Sequence, residues 1–288
     1  MIAPGTLTLL APAKVNLFLH VTGRRSDGYH TLETLMVPID YSDRIGLTLR
    51  EGCDIARTRG LGGVAPEDDL AVRAARLLQR HAAVTKGVTI DVEKRIPVGG
   101  GLGGGSSDAA AVLFGLNRLW QLDLTRGELM ALALELGADV PFFVFGEPAF
   151  ARGIGEALEA CSVPPTWFAV LTPRVQVSTA AIFAALELTR PTPSARIDVF
   201  SEAYGGNDLQ GVALSRFPEI KACLDALSRE APRGIRVAMS GSGSSVFAAL
   251  ADEKTAVDTL SRAARTGAVT GFVARALDRH PLHSFAAP

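Results

Sequence analysis

The sequence predicts a two-domain α+β protein. Strand-like and helix-like runs alternate in both halves of the chain. The strand-like runs are short and sit at hairpin-like spacings, which suits two α+β domains better than one doubly wound parallel sheet. A length of 288 residues, 48% of them hydrophobic, suffices for two ordinary cores. The chain changes character past Glu147-Pro148, and residues 161–165 read as a hinge. The first domain is therefore expected over residues 1–160 and the second over 161–288.

Residues 6–10 and 14–21 are apolar and β-favouring and read as strands. The polar turn Arg24-Arg25-Ser26-Asp27-Gly28 follows, then strands over 34–39 and 44–49. Gly and Pro without periodicity make 60–67 a loop. Asp69 reads as an N-cap, because Leu70, Ala74, Leu77 and Leu78 follow at helical spacing to about His81. Residues 88–92 alternate as a strand, and a helix is expected from about Ser107 to Trp120. Thr125 and Glu128 fit a capping box that opens a third helix, which Gly137 ends. In the second half, 167–171, 236–239, 246–250 and 271–277 read as strands. Helices are expected over 179–188, 218–229 and about 253–265, with the pattern broken at 190–193.

A net charge of −1 and the lack of a long basic block argue against a nucleic-acid partner. The apolar N-terminal run has no basic residue before it, and Pro12 and Lys14 interrupt it. No uninterrupted run reaches the roughly 18 apolar residues of a membrane span, so a cytoplasmic protein is expected. Cys53, Cys161 and Cys223 are far apart, lack a CxxC and read as small buried or half-buried residues. His280 and His283 flank Pro281 and read as part of a polar tail.

Residues 97–107 form the densest chemical signal: Pro97, Val98, Gly99, Gly100, Gly101, Leu102, Gly103, Gly104, Gly105, Ser106 and Ser107. Glycines let backbone N–H groups close around a ligand, and the helix that follows adds its own unpaired N–H groups. Together they make an anion site, most often for phosphate. Gly99, Gly101 and Gly104 match GxGxxG, but the polar Asp91-Val-Glu-Lys-Arg95 precedes the loop and no acidic residue closes a strand some 20 residues on. No Walker lysine follows the glycines either. Ser106 and Ser107 can serve phosphate or Mg²⁺, or simply cap the helix, and Asp108 reads as a residue complementing the helix dipole.

Lys14 and Asn16 share one face of an apolar strand, which favours a cleft-facing role. Asp139, in Gly137-Ala-Asp-Val-Pro141, reads alone as a cap; beside a fixed lysine it is a candidate general base toward an alcohol. Residues 240–245, Ser-Gly-Ser-Gly-Ser-Ser, are too many for a tight hairpin turn and suit a second ligand-covering loop. Tyr29 and His30 can stack on and hydrogen-bond a planar base.

Taken together, these segments resemble the GHMP kinase superfamily. Its three motifs stand in order as Pro12-Ala-Lys-Val-Asn-Leu17, the 97–107 loop, and Met239-Ser-Gly-Ser-Gly-Ser-Ser245. The resemblance implies a two-domain α+β fold with a ferredoxin-like second domain and the active site in the inter-domain cleft. It also implies phosphorylation of a small-molecule alcohol with ATP and Mg²⁺. Gly23-Arg-Arg-Ser-Asp-Gly-Tyr-His-Thr-Leu32 and Leu136-Gly-Ala-Asp-Val-Pro141 are similar to the branch that phosphorylates the 2-hydroxyl of a cytidine-diphosphate-linked methylerythritol. The roles so implied are a base at Asp139, its partner at Lys14, and an ATP phosphate cradle at 97–107. Tyr29 and Phe183 correspond to aromatics that sandwich the cytosine, His30 to the residue reading its edge, and Asn16 and Thr179 to further pocket lining. Asp108 departs from relatives that carry Asn or Ala, and receives no binding role. Another small-alcohol kinase of the superfamily, or a nicotinamide-dependent oxidoreductase, are the remaining alternatives.

Overall fold

The computed structural model describes residues 5–58, 64–65, 67–186, 205–266 and 269–287. The chain opens with two long antiparallel strands, β1 (Thr6–Arg24) and β2 (His30–Arg50), paired along their whole length. The sequence reading has four short strands here. The intervening Pro12 and the polar residues 40–43 do not break the strands. Register shifts at Pro12/Ala13, Asn16/Phe18 and Val21/Gly23 absorb the irregularity as bulges, and bulges bend a ribbon without ending it.

The two halves of β2 serve different neighbours. Residues 44–50 pair with β4 (Gly87–Glu93), beyond which lies β3 (Ile55–Arg57), and residues 34–36 pair with β5 (Ala149–Arg152), which pairs with β6 (Ala157–Ala160). The order is β3-β4-β2-β5-β6, with β1 on β2. Among the described strands only β3 and β4 run parallel, and α1 (Leu70–His81) lies between them in the chain. Asp69 caps α1 as expected, its Oδ1 accepting from Ala71 N at 2.9 Å.

Helix α2 (Gly104–Leu119) runs through the core, and every residue from 107 to 117 is buried. It starts three residues earlier than expected. Gly103, left-handed at φ 72°, makes the turn, so neither Ser106 nor Ser107 is the cap. In α3 (Arg126–Leu136) the Thr125–Glu128 capping box is complete, and Gly137 ends the helix. The short apolar α4 (Val140–Phe145) follows, an element absent from the sequence reading.

The second sheet holds β7 (Trp167–Pro173), β8 (Val237–Met239), β9 (Val246–Leu250) and β10 (Val269–Arg275), in the order β10-β7-β9-β8 with every pairing antiparallel. Between β7 and β8 lie α5 (Thr179–Ala184), α6 (Gln210–Arg216) and α7 (Pro218–Glu230), and α8 (Glu253–Ala263) joins β9 to β10. With α7 and α8 as the packed helices, this is the β-α-β-β-α-β order of a ferredoxin-like unit. The helix expected over 179–188 ends at Ala184. The break expected at 190–193 and most of the loop expected at 60–67 lie outside the described residues.

The sheets meet through a core of their own, in which Phe18, Leu35 and Phe150 pack with Phe168, Phe247 and Phe272. The segment after β10 then returns to the first unit. Leu277 N donates to Pro38 O and His280 N to Gly146 O, while Arg126 donates to the His283 and Ala286 carbonyls. His280 is therefore no polar-tail residue: it is buried against Phe114, and Leu282 joins the core of α2 and α3. Of the cysteines, Cys161 and Cys223 are covered, but Cys53 is exposed, contrary to expectation. Among the described residues no helix is long and apolar enough to cross a membrane.

Candidate active site

A cleft of about 1030 Å³ is walled by the glycine loop, β1, α5 and the loop after β8. Lys14, Asn16, Tyr29, His30, Asp139, Thr179 and Phe183 all line it, together with residues 97–106. Ser107 does not. It is fully buried inside α2, and its Oγ has no partner.

Lys14 is 3% exposed, a position where an ammonium needs partners. Its Nζ donates to Asn16 Oδ1 at 2.5 Å and lies 3.5 Å from Asp139 Oδ2. Asp139 stands at the N-cap position of α4, yet its side chain makes no cap bond and is 42% exposed. The cap reading thus holds for the place and not for the carboxylate, which is left facing Lys14 and the cleft. The pair joins a fixed cation to an accessible base.

The glycine loop is held from three sides. Lys14 N donates to Leu102 O at 2.9 Å, Ser245 N to Gly100 O at 3.0 Å and Ser240 Oγ to Gly101 O at 3.0 Å. Gly101 lies so close to the 240–245 loop that a Cβ there would sit 2.2 Å from Ser240 O. Ser240 Oγ also accepts from Asn16 N, and Ser242 Oγ meets Thr179 Oγ1 at 2.7 Å. The third motif is therefore a buttress joining the loop, β1 and α5.

On the far side of the cleft His30 stacks on Phe183, with ring centroids 5.2 Å apart. Burial, helped by Arg24, lowers the His30 pKa and favours the neutral ring. Tyr29 is 63% exposed at the rim, more open than a half-buried strand residue.

Sequence reasoning missed a buried charge cluster beneath the loop. Lys94 Nζ bridges Asp43 Oδ2 and Asp108 Oδ2, the latter at 2.8 Å. Asp43 Oδ1 accepts from Arg95 N and Ile96 N and so fixes the chain where it enters the loop. Burial pushes the Asp108 carboxyl up to about 7 against the pull of Lys94. Burial disfavours the Lys94 charge, but the two carboxylates outweigh it and raise its pKa. Asp108 is therefore an ion-pair partner and not a simple complement to the helix dipole. The sequence signal is confined to Asp43 just before the strand read at 44–49 and Lys94 just after the strand read at 88–92.

Residues 69–147 match the family model of the GHMP kinases N terminal domain, and residues 182–269 that of the GHMP kinases C terminal. A 4-diphosphocytidyl-2-C-methyl-D-erythritol kinase of Thiobacillus denitrificans is 54% identical over 275 residues, spanning 96% of this chain and 97% of that protein. The protein of the same name in Nitrosospira multiformis is 51% identical over 280 residues, spanning 97% and 94%. A crystal structure of 4-(cytidine 5'-diphospho)-2C-methyl-D-erythritol kinase superposes with a TM-score of 0.78 at 38% identity, over 93% of this chain and 99% of that one. A homoserine kinase from Cytophaga hutchinsonii shares the fold, with a TM-score of 0.71 at 17% identity over 97% of both chains.

Proposed function

The chain belongs to the GHMP kinases, and from that premise we infer its reaction and the residues that carry it. It is an ATP-dependent kinase that phosphorylates the 2-hydroxyl of 4-diphosphocytidyl-2-C-methyl-D-erythritol, in the non-mevalonate route to isoprenoid precursors. The oxidoreductase alternative falls away with this membership, and the likeness to the homoserine kinase is one of fold alone.

Asp139 takes the proton of the 2-hydroxyl as that oxygen attacks the γ-phosphorus and the bond from that phosphorus to the β–γ bridging oxygen breaks, releasing ADP. Lys14 holds Asp139 in place and steadies the charge that develops on the transferring group. The observation that carries this assignment is the 3.5 Å approach of a buried ammonium to a half-exposed carboxylate at the mouth of the glycine loop. The backbone N–H groups of residues 98–106 cradle the ATP phosphates. Tyr29 and Phe183 clasp the cytosine, His30 reads its edge, and Asn16 and Thr179 complete the pocket. The stacked His30–Phe183 pair and the open Tyr29 ring support that clasp. Binding energy gathered at the cytidine end places the alcohol near the base.

Mg²⁺ fits the oxygen donors beside the loop. The Ser106 hydroxyl lines the cleft, and Asp108 Oδ1 is buried without a partner, which is the hard donor set this ion takes together with phosphate and water. When bound, it neutralises charge on the phosphates. A division into domains 1–160 and 161–288 is supported by sheet membership, since the first sheet ends at Ala160 and the second begins at Trp167.

The direct test is Asp139→Ala. Turnover is expected to vanish while binding of a non-hydrolysable ATP analogue stays intact; near-normal turnover overturns the assignment. A panel of alcohols offered with labelled ATP checks the substrate, and label is expected only on the cytidine-linked one.

A further inference from the structure

The segment Gly206-Asn207-Asp208-Leu209 belongs to none of the motifs, yet it ties two walls of the cleft together. Asn207 is buried, and its side chain is fully engaged. Nδ2 donates to Met239 O at 2.8 Å and to Gly241 O at 2.7 Å, while Oδ1 accepts from Leu209 N at 3.0 Å. The flanking backbone grips β1: Leu19 N donates to Gly206 O at 3.0 Å, and Asp208 N to Leu19 O at 2.9 Å. Asp208 Oδ2 accepts from Val21 N at 2.7 Å.

Both anchored parts bear on the chemistry. Gly241 sits against Lys14 and Asn16, where a Cβ would lie 3.3 Å from Asn16 Oδ1 and 3.5 Å from Lys14 Nζ. Its neighbours Ser240 and Ser245 hold the carbonyls of Gly101 and Gly100. One amide thus fixes the height of the 240–245 loop, which in turn sets Lys14 and Asn16 against the phosphate cradle.

We propose that Asn207 is a positioning residue for phosphoryl transfer, holding the Met239 and Gly241 carbonyls so that Lys14 keeps its place between Asp139 and the glycine loop. The proposal rests on the assignment of Lys14 and Asp139 made above. Asn207 touches neither nucleotide nor alcohol. Without its amide, two buried carbonyls lose their partner and the loop relaxes to satisfy them. A misplacement of about 1 Å at a reacting centre costs on the order of 10²-fold in rate.

The test is Asn207→Asp, which keeps shape and the acceptor for Leu209 N but turns a carboxylate toward two carbonyl oxygens. The expected result is a fall in kcat of about 10²-fold, with KM for ATP and for the alcohol within about threefold of the parent. A protonated carboxyl donates once more, so kcat relative to the parent should recover as pH falls. Asp208 beside the site, and Lys14 and Asp139 in the cleft, are common to parent and variant, so the ratio isolates position 207. Asn207→Ala, which removes both donors and leaves the Met239 and Gly241 carbonyls unpartnered, should give the same kcat loss with KM retained. It also reads the proposal if Asn207→Asp does not fold.

Unchanged kcat in either folded variant overturns the proposal, as does a kcat deficit in Asn207→Asp that is equal at every pH. Asp139→Asn is measured alongside. Activity retained there overturns the base assignment and leaves the Asn207 result legible by itself.

Discussion

Two buried carboxylates sharing one ammonium do not share it equally. Asp43 has two backbone N–H donors besides Lys94, whereas Asp108 keeps one oxygen without a partner. Asp108 is therefore the group that takes a proton near neutrality, at about 7, because burial outweighs the pull of Lys94 and the nearby Asp43 adds to it. A carboxyl raised in the fold from its ordinary value of 3.8 stabilises fully below that value, and the contribution is lost as pH rises through about 7. Asp108→Asn should flatten stability between about pH 4 and 8 and raise Tm at the alkaline end, as read by thermal melts at several pH values. A lower Tm than the parent at about pH 8 would contradict this. At the rim, Tyr29→Ala removes a stacking face worth about 1–3 kcal/mol per base and should raise KM for the cytidine substrate roughly tenfold with little change in kcat. Steady-state kinetics decides it, and an unchanged KM rules out stacking there.

At the scale of elements, the glycine loop works because of what packs behind it. Gly101 has φ 72° and Ser240 O at its back, so Gly101→Ala adds both strain and a collision. It should raise KM for ATP by tenfold or more, about 1.4 kcal/mol of lost binding, while far-UV circular dichroism stays unchanged. The loop, the capping box at Thr125 and the cap at Asp69 were legible in the sequence because each is local chemistry among residues a few positions apart. The pairing of Lys14 with Asp139 was legible only through family resemblance, since 125 positions separate the two in the chain. The continuity of β1 and β2 was not legible, because a proline and a polar run that would end an isolated strand become bulges once a neighbour supplies the pairing. Short α4 gave no periodicity to read, being apolar at all six positions. Asn207 and the Asp43–Lys94–Asp108 cluster were invisible for the same reason. Each is ordinary in its own neighbourhood and acquires meaning only from partners tens of residues away.

On the scale of the molecule, two sheets with separate outer cores share an aromatic inner one, and the active site opens where their loops meet. The segment after β10 ties the second sheet back to the helices of the first, with Arg126 as its main anchor and Arg126 Nη1 also holding Val144 O at the end of α4. Deleting residues 277–287 should lower the denaturant midpoint. It should also strip amide-exchange protection from α3 and α4 while β7 and β9 keep theirs; exchange coupled to mass spectrometry reads this element by element. Protection retained in α3 and α4 would show that they stand without that cover. A ribosome makes chain from the N-terminus at about 5–20 residues per second, and domains tend to fold as they emerge. Here the half bearing Lys14, the glycine loop and Asp139 emerges first but gains Leu282 and Ala286 only after all of β7–β10 has been synthesised. During translation the catalytic half waits, uncovered along α3 and α4, for residues that follow the whole of the second sheet.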